Sequence, residues 1–415
     1  MVGITSKVSL KPHTLKLSAE AQFIVNCVCR SIHSINAATL SALSAAEIES
    51  IDWHYTTKLA EQHGVIPLVY QSIHEIYPDL VPSEILGELR LKLHSNALKN
   101  TLIVKELLEV LKLFQNNKIS VVAFKGPVLA LSVYKNLALR QFCDLDILVS
   151  EHNFERAIDA LVLQGQYQIL SRGWHFLSQD HEKQYILSRP EYSLNNGNVT
   201  LDLHQKLITP DYFLCEDISY SYLSKRFQTL QIADQTIQTL GAEDLLIYLC
   251  IHGSKECWAS LKWICDIAEL LKCYPNLDWD YLLKTSQRLG SERMLALGLY
   301  MAHILLGSAL PQPIELELQK NPQVLTLADT VLAQLFLLVN SFKTTNLTRE
   351  KFFFYLALMR RKRDKINLFR FWFRFFRYGF YPNDKDLSWI KLSEKFYFLY
   401  YFLKPARLIL KRIRF

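Results

Sequence analysis

The sequence predicts an α+β fold in which a small mixed sheet lies between an N-terminal and a C-terminal helical region. Three observations carry this. Apolar residues recur at three and four from about 18 to 115; short β-branched runs alternate with helical spacing between 116 and 208; and helical spacing returns after Gly241. The 415 residues, half of them apolar, suffice for two or three packed units. The pattern divides the chain into a helical region 1–115, an α/β core 116–208, a helical region 209–343 and a basic aromatic tail 344–415.

In the first region Val104, Leu107, Leu108, Leu111 and Phe114 form an apolar stripe of helical period. Lys118–Phe124 (KISVVAF) then reads as a strand, and Gly126-Pro127 as a tight turn opening a helix that runs to Tyr134. Cys143–Val149 (CDLDILV) is a second strand. Glu151–Gln164 follows as a helix, with Phe154, Ile158, Leu161 and Val162 on one side. Tyr185–Leu194 and Val199–His204 flank Asn195-Asn196-Gly197-Asn198, residues that tolerate positive φ and so predict a hairpin. Beyond Gly241 the stretches Ala242–Leu271, Ser291–Leu306 and Thr326–Phe342 read as helices. In the tail, Phe369–Tyr378 (FRFWFRFFRY) interleaves aromatic and basic residues.

Composition excludes several classes of protein. Gly and Pro, 13 each and evenly scattered, leave no collagen-like or low-complexity segment. Apolar runs such as Met294–Leu306 and Val331–Val339 stop short of the roughly 18 to 20 residues a membrane span needs. Residues 1–17 lack the basic-then-apolar order of a secretory signal, which predicts a cytoplasmic protein. None of the cysteine pairs among Cys27, Cys29, Cys143, Cys215, Cys250, Cys257, Cys265 and Cys273 has C-x-x-C spacing. The last four recur at helical spacing and read as buried thiols. From Arg349 to Phe415 there are 18 Lys/Arg against 5 Asp/Glu, a net of +13, so the rest of the chain carries −6 of the overall +7.

Asp144 and Asp146, at i and i+2 of a strand, share one face, while Leu145, Ile147 and Val149 share the other. Such a pair repels unless something positive lies between its members, and divalent cations held by carboxylate oxygens answer that need. Asp202, in a second strand flanked by Leu201 and Leu203, is the candidate third ligand. Two Mg²⁺ (or Mn²⁺) ions at such a site activate a hydroxyl and clamp the leaving oxygen in an in-line phosphoryl or nucleotidyl displacement. Lys125 and Gly126 precede the helix, the one supplying charge and the other letting a phosphate approach the backbone. Taken alone, D-x-D also fits an exposed strand edge. The order of strand, Lys-Gly turn, helix and D-x-D strand is what favours chemistry.

The stretch FKGPVLALSVYKNLALRQFCDLDILV, followed by VTLDLHQKL, resembles the polymerase-β-like nucleotidyltransferase superfamily, and within it the bacterial family of uncharacterised nucleotidyltransferases. Gly126, Asp144, Asp146 and Asp202 fall on that superfamily's motif positions. Pro127 stands where the superfamily usually has Ser, which removes a hydroxyl and an N–H from phosphate binding. Outer segments also resemble the family: Asp52-Trp53 with Ala60, His63 and Pro67-Leu68, and His252-Gly253-Ser254-Lys255 with Trp258, Leu261 and Asp266. The resemblance implies a nucleotidyltransferase core, an NTP donor, a divalent metal and an acceptor that the residues do not identify.

Arg140, four residues before Asp144, can bind the triphosphate from a loop open to the site, or pair with a nearby acid. His204 shares a strand face with Asp202 and reads either as a site residue or as a hydrogen-bonded structural histidine. His252 and Lys255, with Trp258 and Asp266 on the same helix, face either the nucleotide or solvent. Asp266 can instead tie helices together. The tail suits an RNA acceptor, an anionic membrane surface at the inner face of the membrane, or plain packing on the protein. Transfer of a phosphosugar, or a non-catalytic nucleotide-binding module, are the competing functions.

Overall fold

A computed structural model of the chain describes residues 17–33, 44–76, 79–170, 191–208, 218–337 and 349–379, with isolated positions at 214, 216 and between 386 and 407. The N-terminal helices are α1 (Ala19–His33), α2 (Ala45–Glu49), α3 (Trp53–Gln62), α4 (Ile66–Ile76) and the long α5 (Ser83–Asn116). Local chemistry sets their starts. Ser44 and Glu47 close a capping box on α2, and the Asp52 carboxylate accepts the Tyr55 N–H at 2.9 Å to begin α3.

The core follows as β1 (Val121–Ala123), α6 (Gly126–Ser132), β2 (Asp144–Val149), α7 (Phe154–Leu163), β3 (Gln168–Ile169), β4 (Glu191–Asn195) and β5 (Thr200–His204). The strands form one mixed sheet in the order β1-β2-β5-β4-β3. β2 and β5 run parallel, and the other neighbours are antiparallel. The expected hairpin is β4–β5; Tyr185–Pro190 of its predicted first strand lie outside the described residues. The two-residue strand β3 has no alternating pattern to betray it.

The sheet has two apolar faces of different use. On one, Leu145, Ile147, Val149, Leu201 and Leu203 pack against Leu107, Val110 and Phe114 of α5 and Phe154, Ala157 and Leu161 of α7. The second half of α5 thus belongs to the sheet layer. Phe114 is fully buried there, and its truncation to alanine costs about 3–5 kcal/mol. On the other face Val122, Phe124 and Leu148 join the larger core built with the helices before and after the sheet.

After the core come α8 (Tyr220–Leu223), β6 (Gln228–Ile232), β7 (Gln235–Thr239), α9 (Ala242–Lys255), α10 (Leu261–Cys273), α11 (Trp279–Leu289), α12 (Glu292–Leu306), α13 (Gln312–Lys320), α14 (Gln323–Leu335), α15 (Arg349–Leu358) and α16 (Lys362–Gly379). Two features of the region 209–343 are not announced by its helical spacing. β6 and β7 form a separate antiparallel hairpin whose turn residue Ala233 takes φ +52°, without the Gly or Asn that would announce it. The stretch Ala242–Leu271 is two helices. Its break at 256–260 comes from Trp258, whose backbone N–H bonds the Gly253 carbonyl at 2.7 Å while its buried ring lies against Gly253. A Cβ on Gly253 would stand 2.5 Å from that ring. His252 and Lys255 therefore sit on α9, and Asp266 on a different helix.

Cys27, Cys29, Cys250, Cys257 and Cys265 are buried thiols; Cys273 is half-buried, Cys143 is exposed and Cys215 lies outside the described residues. No helix among the described residues is long and apolar enough to cross a membrane. In the tail, α16 buries Asp364 and Leu368, and its Trp372 packs edge-on against Phe352 of α15 with centroids 4.5 Å apart. Ile366, Phe369 and Phe373 point outward beside exposed Lys362, Arg363 and Arg370.

Candidate active site

The parallel pairing of β2 and β5 places Asp146 directly opposite Asp202 and Leu148 opposite His204. Because side chains alternate along a strand, Asp144, Asp146, Asp202 and His204 all emerge on the face turned toward the helical body. β4 adds Ser193 beside Asp202 and Glu191 beside His204. Three aspartates and a histidine thus share one sheet face, as the D-x-D and LDLHQ segments predict, and Glu191 makes a fourth carboxylate there.

Asp146 is buried, and its Oδ1 accepts a hydrogen bond from Lys125 Nζ at 3.1 Å while His204 Nε2 lies 3.4 Å away. Burial opposes ionisation of Asp146, but the charge of Lys125 and the contact with His204 outweigh it and hold this carboxyl well below the usual range. Its other oxygen, Oδ2, is buried without a hydrogen-bond partner among the described residues. Asp202 goes the other way: burial, with the charges of Asp146 and Glu191 against the hydrogen bond from Ser193 Oγ at 2.6 Å, pushes its carboxyl up to about 6. His204 is raised above its ordinary value, the contact with Asp146 and the charge of Glu191 overcoming burial.

Among the described residues, no three His, Cys, Asp or Glu side chains are gathered as a ready cation site. The positive charge that the paired acids require is supplied by Lys125, with His204 beside it. The donor set nevertheless fits a hard divalent cation. Asp146 and Asp202 face each other in register, one Asp146 oxygen is orphaned among the described residues, and burial together with the charges of Asp146 and Glu191 raises the cost of ionising Asp202, which a cation would offset.

Gly126 takes φ +51°, and a Cβ there would stand 2.7 Å from the Asp144 carbonyl oxygen. Glycine is therefore required for the turn to lie against the start of β2. Lys125 Nζ also lies 5.6 Å from the Tyr248 ring centroid, and Tyr248 stacks on His252 at 5.8 Å and 18°. Burial, then the charges of Lys125 and Lys255, keep His252 well below its ordinary pKa and so neutral. Lys255 lies with Glu191, His204, Lys206 and His252 in a cleft where the sheet meets α9.

Arg140 does not open onto this cleft. It is buried, and its Nε and Nη2 donate to Asp266 Oδ1 and Oδ2 at 2.8 and 2.9 Å, while Tyr134 Oη also donates to Oδ1 at 2.8 Å. Of the two readings of Arg140, the structure shows the pairing with an acid, and Asp266 ties α10 to the loop before β2. The side-chain amides of Asn96 and Asn100, missed in the sequence, donate to the carbonyls of Ala138, Leu137 and Arg140 at 2.7 to 3.4 Å. Two asparagines at i and i+4, buried in an otherwise amphipathic helix, were the available signal. They hold the loop that delivers Asp144.

No curated protein matches the sequence. The pattern of the family described as "Uncharacterised nucleotidyltransferase" matches residues 49–307. That span covers more than half the chain and contains the sheet, α9, α10 and each residue of the site just described. The chain therefore belongs to this uncharacterised nucleotidyltransferase family.

Proposed function

We propose that the chain transfers a nucleoside monophosphate from an NTP to a hydroxyl acceptor and releases pyrophosphate, with Mg²⁺ or Mn²⁺ held by Asp144, Asp146 and Asp202. The observation that carries this is the facing pair Asp146 and Asp202, one with an unpartnered buried oxygen and the other pushed up to about 6. A bound divalent cation would supply charge for the phosphates and acidify the attacking hydroxyl. The chain's own groups do the rest. Lys125 holds the Asp146 charge and stands ready for a phosphate, and Gly126 leaves room at the backbone. Asp202, titrating near neutrality, takes the proton of the acceptor hydroxyl as its oxygen bonds to the α-phosphorus and the bond to the bridging oxygen breaks. Neutral His252 and Lys255 line the nucleotide or acceptor cleft, and Arg140 acts by fixing the loop before Asp144.

A non-catalytic nucleotide-binding module is the second reading, and the Lys125–Asp146 pair favours it by neutralising the acids without a metal. The test uses NTPs labelled on the α-phosphate, Mg²⁺ and cell extract. Label transferred with pyrophosphate release by wild type and not by Asp144→Asn supports the proposal. Nucleotide binding without transfer supports the module, and transfer only from a nucleotide sugar supports a phosphosugar transferase.

A further inference from the structure

A second opening lies at the Asp144 end of the carboxylate row, away from the cleft that holds Lys255. It is a groove of about 470 Å³ between α3, α5, the 141–143 loop and the start of α10, and Glu61, Lys92, Asn96, Lys99, Cys143 and Lys262 line it. Lys92 is matched by Glu61 at 3.0 Å and Glu88 at 3.6 Å. Lys99 is exposed. Lys262 is different in kind.

The chain is shaped to present Lys262. Gly64, at φ +67°, ends the turn after α3, and a Cβ there would stand 2.9 Å from Lys262 Cδ. The glycine lets the lysine stem lie on the turn. His63 fixes the other side: its carbonyl accepts Ser260 Oγ at 2.8 Å and the Lys262 N–H at 3.2 Å, and its Nδ1 accepts the Leu261 N–H at 3.2 Å. The first N–H groups of α10 are thus already satisfied, which leaves the lysine head as the group addressed to the groove.

Among the described residues the Lys262 ammonium makes no hydrogen bond or ion pair. Of the charges that act on it, Arg140 repels it, and Asp266 and Asp144 attract it. Asp266 is taken up by Arg140 and Tyr134. Burial and the Arg140 charge accordingly hold Lys262 below its ordinary pKa. A half-buried ammonium in this position is completed by an anion.

We propose that the Lys262 groove binds a phosphate-bearing group beside Asp144, with Lys99 and the Asn96 region at its rim. This rests on the nucleotidyltransferase reading. The phosphate comes either from the β,γ end of the donor or from the acceptor.

The experiment uses inorganic tripolyphosphate without metal as the probe. Calorimetry on the full chain should give binding that Lys262→Met weakens about tenfold or more, the scale of one charge-assisted hydrogen bond, and that Lys262→Arg retains. Saturating tripolyphosphate should also protect exposed Cys143 from a maleimide, read by mass spectrometry on unmutated protein. Equal affinity in Lys262→Met, or no protection of Cys143 in wild type, overturns the proposal. Competition by NTP assigns the groove to the donor, and simultaneous binding of NTP and tripolyphosphate assigns it to the acceptor. Asp144→Asn should leave metal-free tripolyphosphate binding intact or tighter. Loss of transfer in that variant alone speaks to the metal site and not to the groove.

Discussion

Removing Asp266 strips three donors of their acceptor at once: Arg140 Nε at 2.8 Å, Arg140 Nη2 at 2.9 Å and Tyr134 Oη at 2.8 Å. The Arg140 and Asp266 side chains are 5% and 0% exposed, so water cannot replace the carboxylate without opening the core. Breaking one side of such a pair costs about 3–5 kcal/mol, most of it the stranded guanidinium. The pair itself is worth far less against apolar residues of similar volume. Asp266→Ala should therefore unfold in urea with a stability about 3–5 kcal/mol lower, whereas Arg140→Met/Asp266→Leu should recover most of that loss. The same loop leads directly into Asp144 of β2, so Asp266→Ala should also weaken metal-dependent nucleotide binding under conditions where it remains folded. A loss below about 1 kcal/mol for Asp266→Ala, or a double variant no more stable than the single, would refute the reasoning.

Gly126→Ala forces a side chain into positive φ against the Asp144 carbonyl, and a loss of at least about 1–2 kcal/mol with weakened nucleotide binding is expected from urea unfolding and calorimetry. In Gly253→Ala the new methyl meets the Trp258 ring, so about 1–3 kcal/mol is lost and tryptophan fluorescence shifts as the ring moves. Glu269 supplies a pH test. Burial, against Lys272 and with Asp266, pushes its carboxyl up to about 7 from an ordinary 4.5. The folded state then holds the proton more tightly than the unfolded chain, so this contribution is full below pH 4.5 and is lost as pH rises to about 7. Glu269→Gln should remove that decline, gaining up to about 3 kcal/mol on wild type between pH 4 and pH 8 in urea titrations.

The parts of the molecule governed by local pattern were legible in the sequence. Alternation gave β2 and β5, helical spacing gave α7 and α12, and the strand period put Asp144 and Asp146 on one face. What escaped depends on partners distant in the chain. Arg140 meets Asp266 across 126 positions, and nothing near either residue announces the pair. Lys262 gains its setting from Gly64 on another helix turn. The break between α9 and α10 is made by an indole folding back on Gly253, a tertiary contact that overrides an unbroken helical pattern. The β6–β7 hairpin is hidden because its strands carry Gln and Thr outward and turn at Ala233-Asp234 rather than at glycine. The sequence marks Lys125 as a phosphate ligand, and the structure adds that it already partners Asp146.

That contact decides how the central claim is best tested. Asp146→Asn would strand Lys125 and confuse unfolding with lost binding, whereas Asp144 is half-exposed and Asp202, its carboxyl pushed up to about 6, loses its charge at less cost than Asp146. Calorimetry of each NTP with Mg²⁺ should therefore compare wild type with Asp144→Asn/Asp202→Asn. The account predicts metal-dependent binding of at least one NTP by wild type and its loss in the double variant. Equal, metal-dependent binding by the variant would contradict the assignment of these carboxylates.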